Sequence, residues 1–568
     1  MTQKTRFLDS LTAEGILSSD AAEEYSKAHA QASLDLLEAL MQKNVAKRDV
    51  LAKLWGDSMR VSYVNLSKTL FQSTAVEKLP EAFARKHLIL PLYEGHGVVT
   101  VATASPLNIH ILDEATRLAG CQLSPVFALP DEIVSAIDVQ YQSDAALNTQ
   151  LAALSESPLF KNRERLSLEQ VEAFSKDQAI VAFSRNLLLL ALKERASDIH
   201  LDPQEQELCI RFRIDGVLQD RLKLDKTLAA PLSSRLKIMG GLDITEKRRP
   251  QDGRISLPLS KRSVDFRMSS VPAIYGEKIV LRALGQLQDA EVPDLESLNF
   301  SKANYLGLKK TADAPNGIFF VTGPTGSGKS TTLFSVLKYL NRPGINIMTI
   351  EDPVEYRLPG LNQVQVNHAI DFSFASALRA FLRQDPDVIL VGEVRDLETA
   401  KIASQAALTG HLVLATLHTN TALQAVTRLM EIGVEPYLVA PSIVGVMAQR
   451  LVRKICTHCK EAYSLEREVL ARYFHWDDTL DISEVFFYRG KGCTECNDTG
   501  YGGRLAIHEV FVMTEAVRAL IAKGASTLEI DEVARQAGFQ PMRHDGMKKV
   551  LAGLTSLDEL ERVTMGDV

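Results

Sequence analysis

A multidomain α/β protein is predicted by three features of the sequence. From about residue 314 onward a pattern of strand, glycine loop, helix and strand recurs, the signature of a mostly parallel sheet. Residues 177–287 instead read as a helix followed by alternating strands, a separate α+β domain. At 568 residues the chain is too long for one core, and roughly three to five domains are expected.

Taken in order, residues 1–75 read as a helical region, with helices over 21–32 and 36–54. Leu36, Leu37, Leu40 and Met41 stand at helical spacing. A small α/β domain follows at 76–142, with strands at 88–92, 98–102 and 124–129 and a helix at 107–118. Residues 143–176 are polar without a clear period and read as a linker. A helix over 178–195 opens the 177–287 domain. In its strand 210–214 the apolar residues share one face, while Arg211 and Arg213 share the other. Asp215-Gly216 and Asp252-Gly253 are read as turns, and 264–268 as a further strand. A second linker is expected at 288–313, and the last domain at 314–568.

Composition narrows the function. The hydrophobic content of 46% and charged content of 24% are ordinary for globular protein. A net charge of −7 argues against a general nucleic-acid binder, and no nucleic-acid partner is expected. The longest strongly apolar run, 187–192, is far short of a membrane span, and the N-terminus, with Lys4, Arg6, Asp9 and Glu14, lacks the apolar core of a secretory signal. A cytoplasmic protein is expected, meeting a membrane only through partners. Cys121 and Cys209 stand alone and read as small buried residues.

Gly323-Pro-Thr-Gly-Ser-Gly-Lys329-Ser330 fits the phosphate-loop pattern, lying between an apolar strand (318–321) and a helix that runs to Leu340. Its glycines let backbone N–H groups curl around phosphates. Gly323, Thr325, Gly326, Ser327, Gly328, Lys329, Ser330 and Thr331 are the candidate nucleotide contacts. Lys329 suits the β/γ-phosphates, and Ser330 suits Mg²⁺.

Ligands of open parallel sheets sit beyond the carboxyl ends of the strands. Polar residues recur there. Glu351 and Glu355 follow the strand-like run 345–350 and suit the orientation or deprotonation of an attacking water. Glu393 follows 388–391 and suits Mg²⁺, where Asp is the commoner residue. His411 and His418 flank the strand 412–417. Together these features describe a RecA-like NTPase core, expected to use Mg²⁺.

Cys456-Thr-His-Cys459 and Cys493-Thr-Glu-Cys496 are two CxxC pairs able to complete a tetrahedral Zn²⁺ site. Four protein ligands leave no open position, so a structural zinc module is expected at about 454–500; redox dithiol chemistry is the weaker alternative.

With these motifs the chain resembles the type II secretion and type IV pilus assembly ATPases, the GspE/PilB family, from about residue 196 to 564. The matching stretches include Ala196-Ser-Asp-Ile-His-Leu, Arg211-Phe-Arg-Ile-Asp-Gly216, Lys247-Arg-Arg-Pro-Gln-Asp-Gly-Arg254, Thr349-Ile-Glu-Asp-Pro-Val-Glu355, 382–396, 409–413, 416–420 and Ala448-Gln-Arg-Leu-Val-Arg453. The resemblance implies a PAS-like fold for 177–287, a homohexamer, and a cytoplasmic motor at the inner membrane. That motor works with a platform protein and a recruitment protein to assemble a type IV pilus or a type II secretion pseudopilus. It implies Glu in the Walker B position at 393, Glu355 as general base and Glu351 as a supporting acid. Arg211, Arg213 and Arg254 are candidates to reach a nucleotide, often on a neighbouring subunit. Some relatives bind cyclic di-GMP through paired Arg-Leu-Gly motifs. Residues 5–16 depart from that motif, so a docking role is expected for the N-terminal region instead.

Overall fold

A computed structural model of the chain describes residues 3–28, 34–43, 45–66, 71–95, 97–141, 177–259, 263–284, 292–466 and 486–564, with Thr69 and Ser175. The linker expected at 143–176 lies, Ser175 apart, outside the described residues. Two compact units divide the chain, Met1–Leu284 and Gly285–Val568.

In the first unit, helices Gln3–Ala13, Leu34–Gln42 and Arg48–Met59 bring Phe7, Leu11, Leu37, Leu40, Leu51 and Trp55 into one apolar cluster. The single helix expected over 36–54 is therefore two. The polar run Gln42-Lys43-Asn44 offers a continuing helix nothing to bury, and Asp49 favours a new N-terminus at Arg48. Beyond them β1 (Ile89–Gly95), β2 (Val98–Thr103) and β3 (Gln122–Phe127) form a three-stranded sheet. Its parallel β2–β3 pair is joined by the helix Ile109–Ala119, the crossover such a pairing requires.

β4 (Asp198–Pro203), β5 (Glu207–Ile214), β6 (Val217–Asp225), β7 (Gln251–Pro258), β8 (Ser263–Ala273) and β9 (Gly276–Leu284) form an antiparallel sheet ordered β6-β5-β4-β9-β8-β7. Helices Gln178–Lys193 and Ala229–Met239 cover one face, where Leu187, Leu188, Leu232 and Leu236 pack on Ile210, Phe212, Phe266 and Leu281. Asp215 and Gly216 turn the β5–β6 hairpin with φ of 49° and 85°. Asp252 and Gly253 lie inside β7 and make no turn. Glycine serves close approach there, because a Cβ on Gly253 would come within 2.5 Å of the Gly240 carbonyl oxygen.

In the second unit β10 (Gly317–Thr322), β11 (Ile347–Glu351), β12 (Asn362–Gln365), β13 (Val388–Val391), β14 (Leu412–Leu417) and β15 (Ile443–Ile455) are parallel. A short hairpin of β16 (Lys460–Tyr463) and β17 (Phe487–Gly490) follows, and β18 (Tyr501–Val512) closes the main sheet antiparallel to β15. The order is β12-β11-β13-β14-β10-β15-β18. Successive residues of β10 feed cores on opposite faces, Ile318 and Phe320 one, Phe319 and Val321 the other. Part of the expected linker at 288–313 is folded. The helix Lys302–Ala312, capped by Ser301, buries Leu308 and Ala312 beside Phe319 and Leu333. Its narrow apolar stripe among lysines hid it in the sequence.

β18 also carries a buried polar network. Glu509 accepts from Ala422 N at 2.6 Å and Met542 N at 2.8 Å, neutralising the N-termini of two helices, Ala422–Ile432 and Met542–Leu551. The fully buried His508 ring lies beside Phe300, and its Nδ1 is 3.8 Å from Asp545, which also accepts from Lys549 at 2.8 Å. Burial, with Lys549 adding, pushes His508 down from 6.5 to about 4. A lowered histidine favours the neutral ring in the fold. Its contribution to stability is complete above pH 6.5 and is lost as pH falls toward 4. His508→Leu should remove a loss on the order of 3 kcal/mol over that window, seen as a flatter profile of melting temperature against pH. An unchanged profile contradicts this assignment.

Candidate functional site

The loop after β10 is shaped by glycine and by one residue of β15. Gly323, Gly326 and Gly328 have φ of 144°, 78° and 89°. A Cβ on Gly323 would lie 2.3 Å from the Gln449 carbonyl oxygen. The Gln449 side chain donates to Ser327 O at 2.7 Å and accepts from Thr332 Oγ1 at 2.8 Å. Thr325, Gly326 and Ser330 are exposed, while the buried Ser327 Oγ has no partner among the described residues, as a hydroxyl awaiting a ligand oxygen would be. Lys329 opens the helix Lys329–Leu340 and turns back on its own loop, donating to Gly323 O at 2.8 Å and Pro324 O at 3.0 Å. Burial pushes its ammonium down to about 8, against the opposing pull of Glu393. Thr331 is tied to the Tyr356 hydroxyl at 3.0 Å, in a loop that also carries Glu355.

The other polar residues stand at the carboxyl ends of neighbouring strands. Glu351 ends β11 and is buried. Its carboxylate accepts from Thr349 at 2.7 Å, from Gln363 at 3.2 Å and from the Glu355 backbone at 3.5 Å. Burial raises its pKa, and the Thr349 and Gln363 bonds oppose that rise. Glu351 thus fixes the loop that presents Glu355, which is exposed. Glu393 follows β13 and is gripped by Arg395 at 2.6 Å, with His418 Nε2, just after β14, at 3.5 Å from the same oxygen. His411 is structural, its Nδ1 lying 2.9 Å from Ala406 O. Thr322 locks the ends of β10 and β14 together through Leu417 O and the Thr419 amide.

The sheet of the first unit redraws the candidate arginines. Arg211 is bound to Asp202 at 2.7 Å, and Arg213 to Gly216 O at 3.0 Å with Asp198 at 3.7 Å. The strand register lines up Arg254 with Arg267, Arg267 with Arg282, Arg282 with Asp198, and Asp198 with Arg213, so Arg213 continues the row beyond Asp198. Three arginines on adjacent strands are therefore neighbours on one face, an arrangement that costs stability by like-charge contact. Arg254 pairs with Asp265 and Arg282 with Asp198, while the exposed Arg267 has no ion-pair partner among the described residues. Sequence reading missed Arg267 and Arg282 because their alignment is visible only once the register is known. Counting alternate residues outward from Met268 and Leu281 was the available signal.

The four cysteines converge. Their Sγ atoms lie within 4.8 Å of one another, with Cys456–Cys493 at 3.8 Å, Cys459–Cys496 at 3.9 Å and Cys493–Cys496 at 3.6 Å. A tetrahedron of 2.3 Å Zn–S bonds has edges of about 3.8 Å, so the donor set fits Zn²⁺ with no position left for substrate. The N–H groups of Cys493 and Gly500 donate to Cys496 Sγ at 3.2 Å, as knuckle amides do toward a thiolate. Cys209 is buried as expected, whereas Cys121 is half-buried.

Comparison with known proteins matches this architecture. A family model described as type II/IV secretion system protein matches residues 173–562, and an MshEN domain model matches 59–147. The type IV pilus assembly ATPase PilB of Thermus thermophilus is 41% identical over 533 residues, 92% of this chain and 58% of that protein, so the chain spans a little over half of that relative. The type II secretion system ATPase E of Vibrio cholerae is 42% identical over 495 residues, 86% of this chain and 97% of that protein. Among solved structures, the ATPase DotB of Legionella pneumophila superposes with a TM-score of 0.50 at 23% identity, covering 68% of this chain and 96% of that one, a likeness of fold. The chain belongs to the type II/IV secretion system protein family and carries its ATPase core.

Proposed function

We propose that six copies of the chain form a cytoplasmic ring. It hydrolyses ATP to power assembly of a type IV pilus or a type II secretion pseudopilus, docked at the inner membrane through a platform protein and a recruitment protein. One observation carries the reading. The phosphate loop, the Glu351–Glu355 segment, Glu393 and His418 follow four strands that are consecutive in one sheet, β11-β13-β14-β10. No helix among the described residues is long and apolar enough to cross a membrane, which fits docking through partners.

In this reading Lys329 exchanges its two loop carbonyls for phosphate oxygens, and Ser330 and Glu393 would hold Mg²⁺, which would supply charge neutralisation for the transferring phosphoryl group. Glu355, held by Glu351, takes the proton of the attacking water. Arg395 and His418 hold the Glu393 carboxylate at the end of β13. The arginine row of Arg254, Arg267 and Arg282 supplies cationic charge to the nucleotide of a neighbouring copy. The cysteine tetrad holds a structural Zn²⁺.

Exchanging Arg267 and Arg282 together for alanine should lower kcat by on the order of 10³, the range for arginines supplied to phosphoryl transfer. Arg211→Ala should act on stability more than on kcat. Steady-state ATPase assays with native mass measurement check both. Full turnover without the two arginines, or turnover by a monomer, sinks the ring reading. Loss of surface pili against loss of secreted protein, on deleting the gene, separates the two clients.

A further inference from the structure

We propose that Gln449 is the positioning residue that sets the phosphate loop for binding, by fixing the direction of the peptide between Ser327 and Gly328. The inference rests on the phosphate-binding reading of that loop. Gln449 lies on β15, one residue past Ala448, the register partner of the last β10 residue, Thr322. It therefore stands where the loop leaves the sheet. Its side chain is buried and both ends of its amide are used, Nε2 on Ser327 O at 2.7 Å and Oε1 on Thr332 Oγ1 at 2.8 Å. Reversing the amide would set two acceptor oxygens against each other at Ser327, so one orientation is enforced.

The consequence follows from peptide geometry. In a trans peptide the C=O and the next N–H point in opposite directions. Holding Ser327 O against the Gln449 side chain of β15 therefore turns the Gly328 N–H away from that side chain. Glycine at 328, with φ of 89°, allows that peptide to rotate at little cost. A rotated peptide would offer a carbonyl oxygen to a phosphate oxygen, exchanging attraction for repulsion. The Gln449 amide removes that option. The same contact restricts residue 328, because a Cβ there would lie 2.7 Å from Gln449 Nε2.

The test uses the full chain. Gln449→Glu keeps the shape but replaces the donor to Ser327 O with an acceptor. Expected is a rise of about tenfold in KM for magnesium–ATP and in Kd for a fluorescent ATP analogue, the worth of one strong hydrogen bond to a charged group. The fall in kcat should be smaller than the rise in KM, and the nucleotide-free melting temperature should fall, because the new carboxylate is buried against an acceptor, so the KM-against-kcat split carries the test. Thr332→Val, which removes the hydroxyl anchoring the Oε1 end of the amide and so loosens its hold on Ser327 O, should raise KM by about threefold and decides the matter if Gln449→Glu does not fold. A KM within about twofold of wild type for the folded variants, or a fall in kcat that tracks melting temperature at constant KM, overturns the proposal. Lys329→Ala serves as control. If it binds the analogue like wild type, the phosphate-loop reading itself fails. If it loses binding while Gln449→Glu keeps it, the role of Gln449 alone falls.

Discussion

Lys329→Ala is expected to lower kcat/KM for ATP by on the order of 10²–10³ and to leave the nucleotide-free protein as stable as wild type or more so. The two halves of that result have one origin. Lys329 is 9% exposed, its ammonium donates to the carbonyls of Gly323 and Pro324, and burial lowers its pKa to about 8. A lysine whose pKa falls on folding disfavours the fold while charged, so below pH 8 the cation is a cost. Removing it relieves that cost and removes the charge meant for phosphate. For wild type, the KM for ATP should rise as pH passes about 8, because the nucleotide-free lysine then loses its proton. A pH series of steady-state rates with paired thermal melts reads all three effects. A variant that is both unstable and slow, with unchanged KM, contradicts them.

The second large effect concerns the cysteine tetrad. The purified chain is expected to carry one zinc, and Cys493→Ser to lose it together with the fold of the flanking segments 456–463 and 487–500. Metal binding in small zinc modules is worth about 10–16 kcal/mol, which the short β16–β17 hairpin cannot replace. The damage should extend into the main sheet. β15 runs straight into Cys456, Cys456 N donates to Gly500 O at 3.0 Å, and β18 begins at Tyr501. Elemental analysis gives the stoichiometry, and limited proteolysis should show new cuts within 456–466 and 486–500. A metal-free chain with wild-type resistance to protease contradicts a structural zinc.

Legibility in the sequence followed the range of the interactions. The β10–loop–helix unit was readable because its signals are local: an apolar run, glycines where the backbone must turn, and a helix start. The cysteine pairs were readable because metal ligation dictates their spacing. The helix Lys302–Ala312 was not readable, since only a thin stripe around Leu308 and Ala312 is buried among exposed lysines. Asp252-Gly253 misled because a glycine required by the Gly240 carbonyl looks the same as one required by a turn. The arginines show the limit most clearly. Arg211 and Arg213 were conspicuous as an alternating pair, but that Arg213 shares Asp198 with Arg282 shows only in the register. Arg254, Arg267 and Arg282 come from three strands, and only pairing across the sheet makes them neighbours. Gln449 lies in the stretch 448–453 that resembles the family, but nothing local to it shows the loop it braces about 120 residues away.

Hydrogen exchange of the full chain, with and without saturating magnesium–ATP, tests most directly whether the glycine loop holds the triphosphate. Exchange of the amides from Gly323 to Thr331 should slow by about tenfold or more when phosphate oxygens accept from them, and Lys329→Ala should abolish that slowing. Unchanged exchange across these amides while the same sample hydrolyses ATP would place the nucleotide elsewhere.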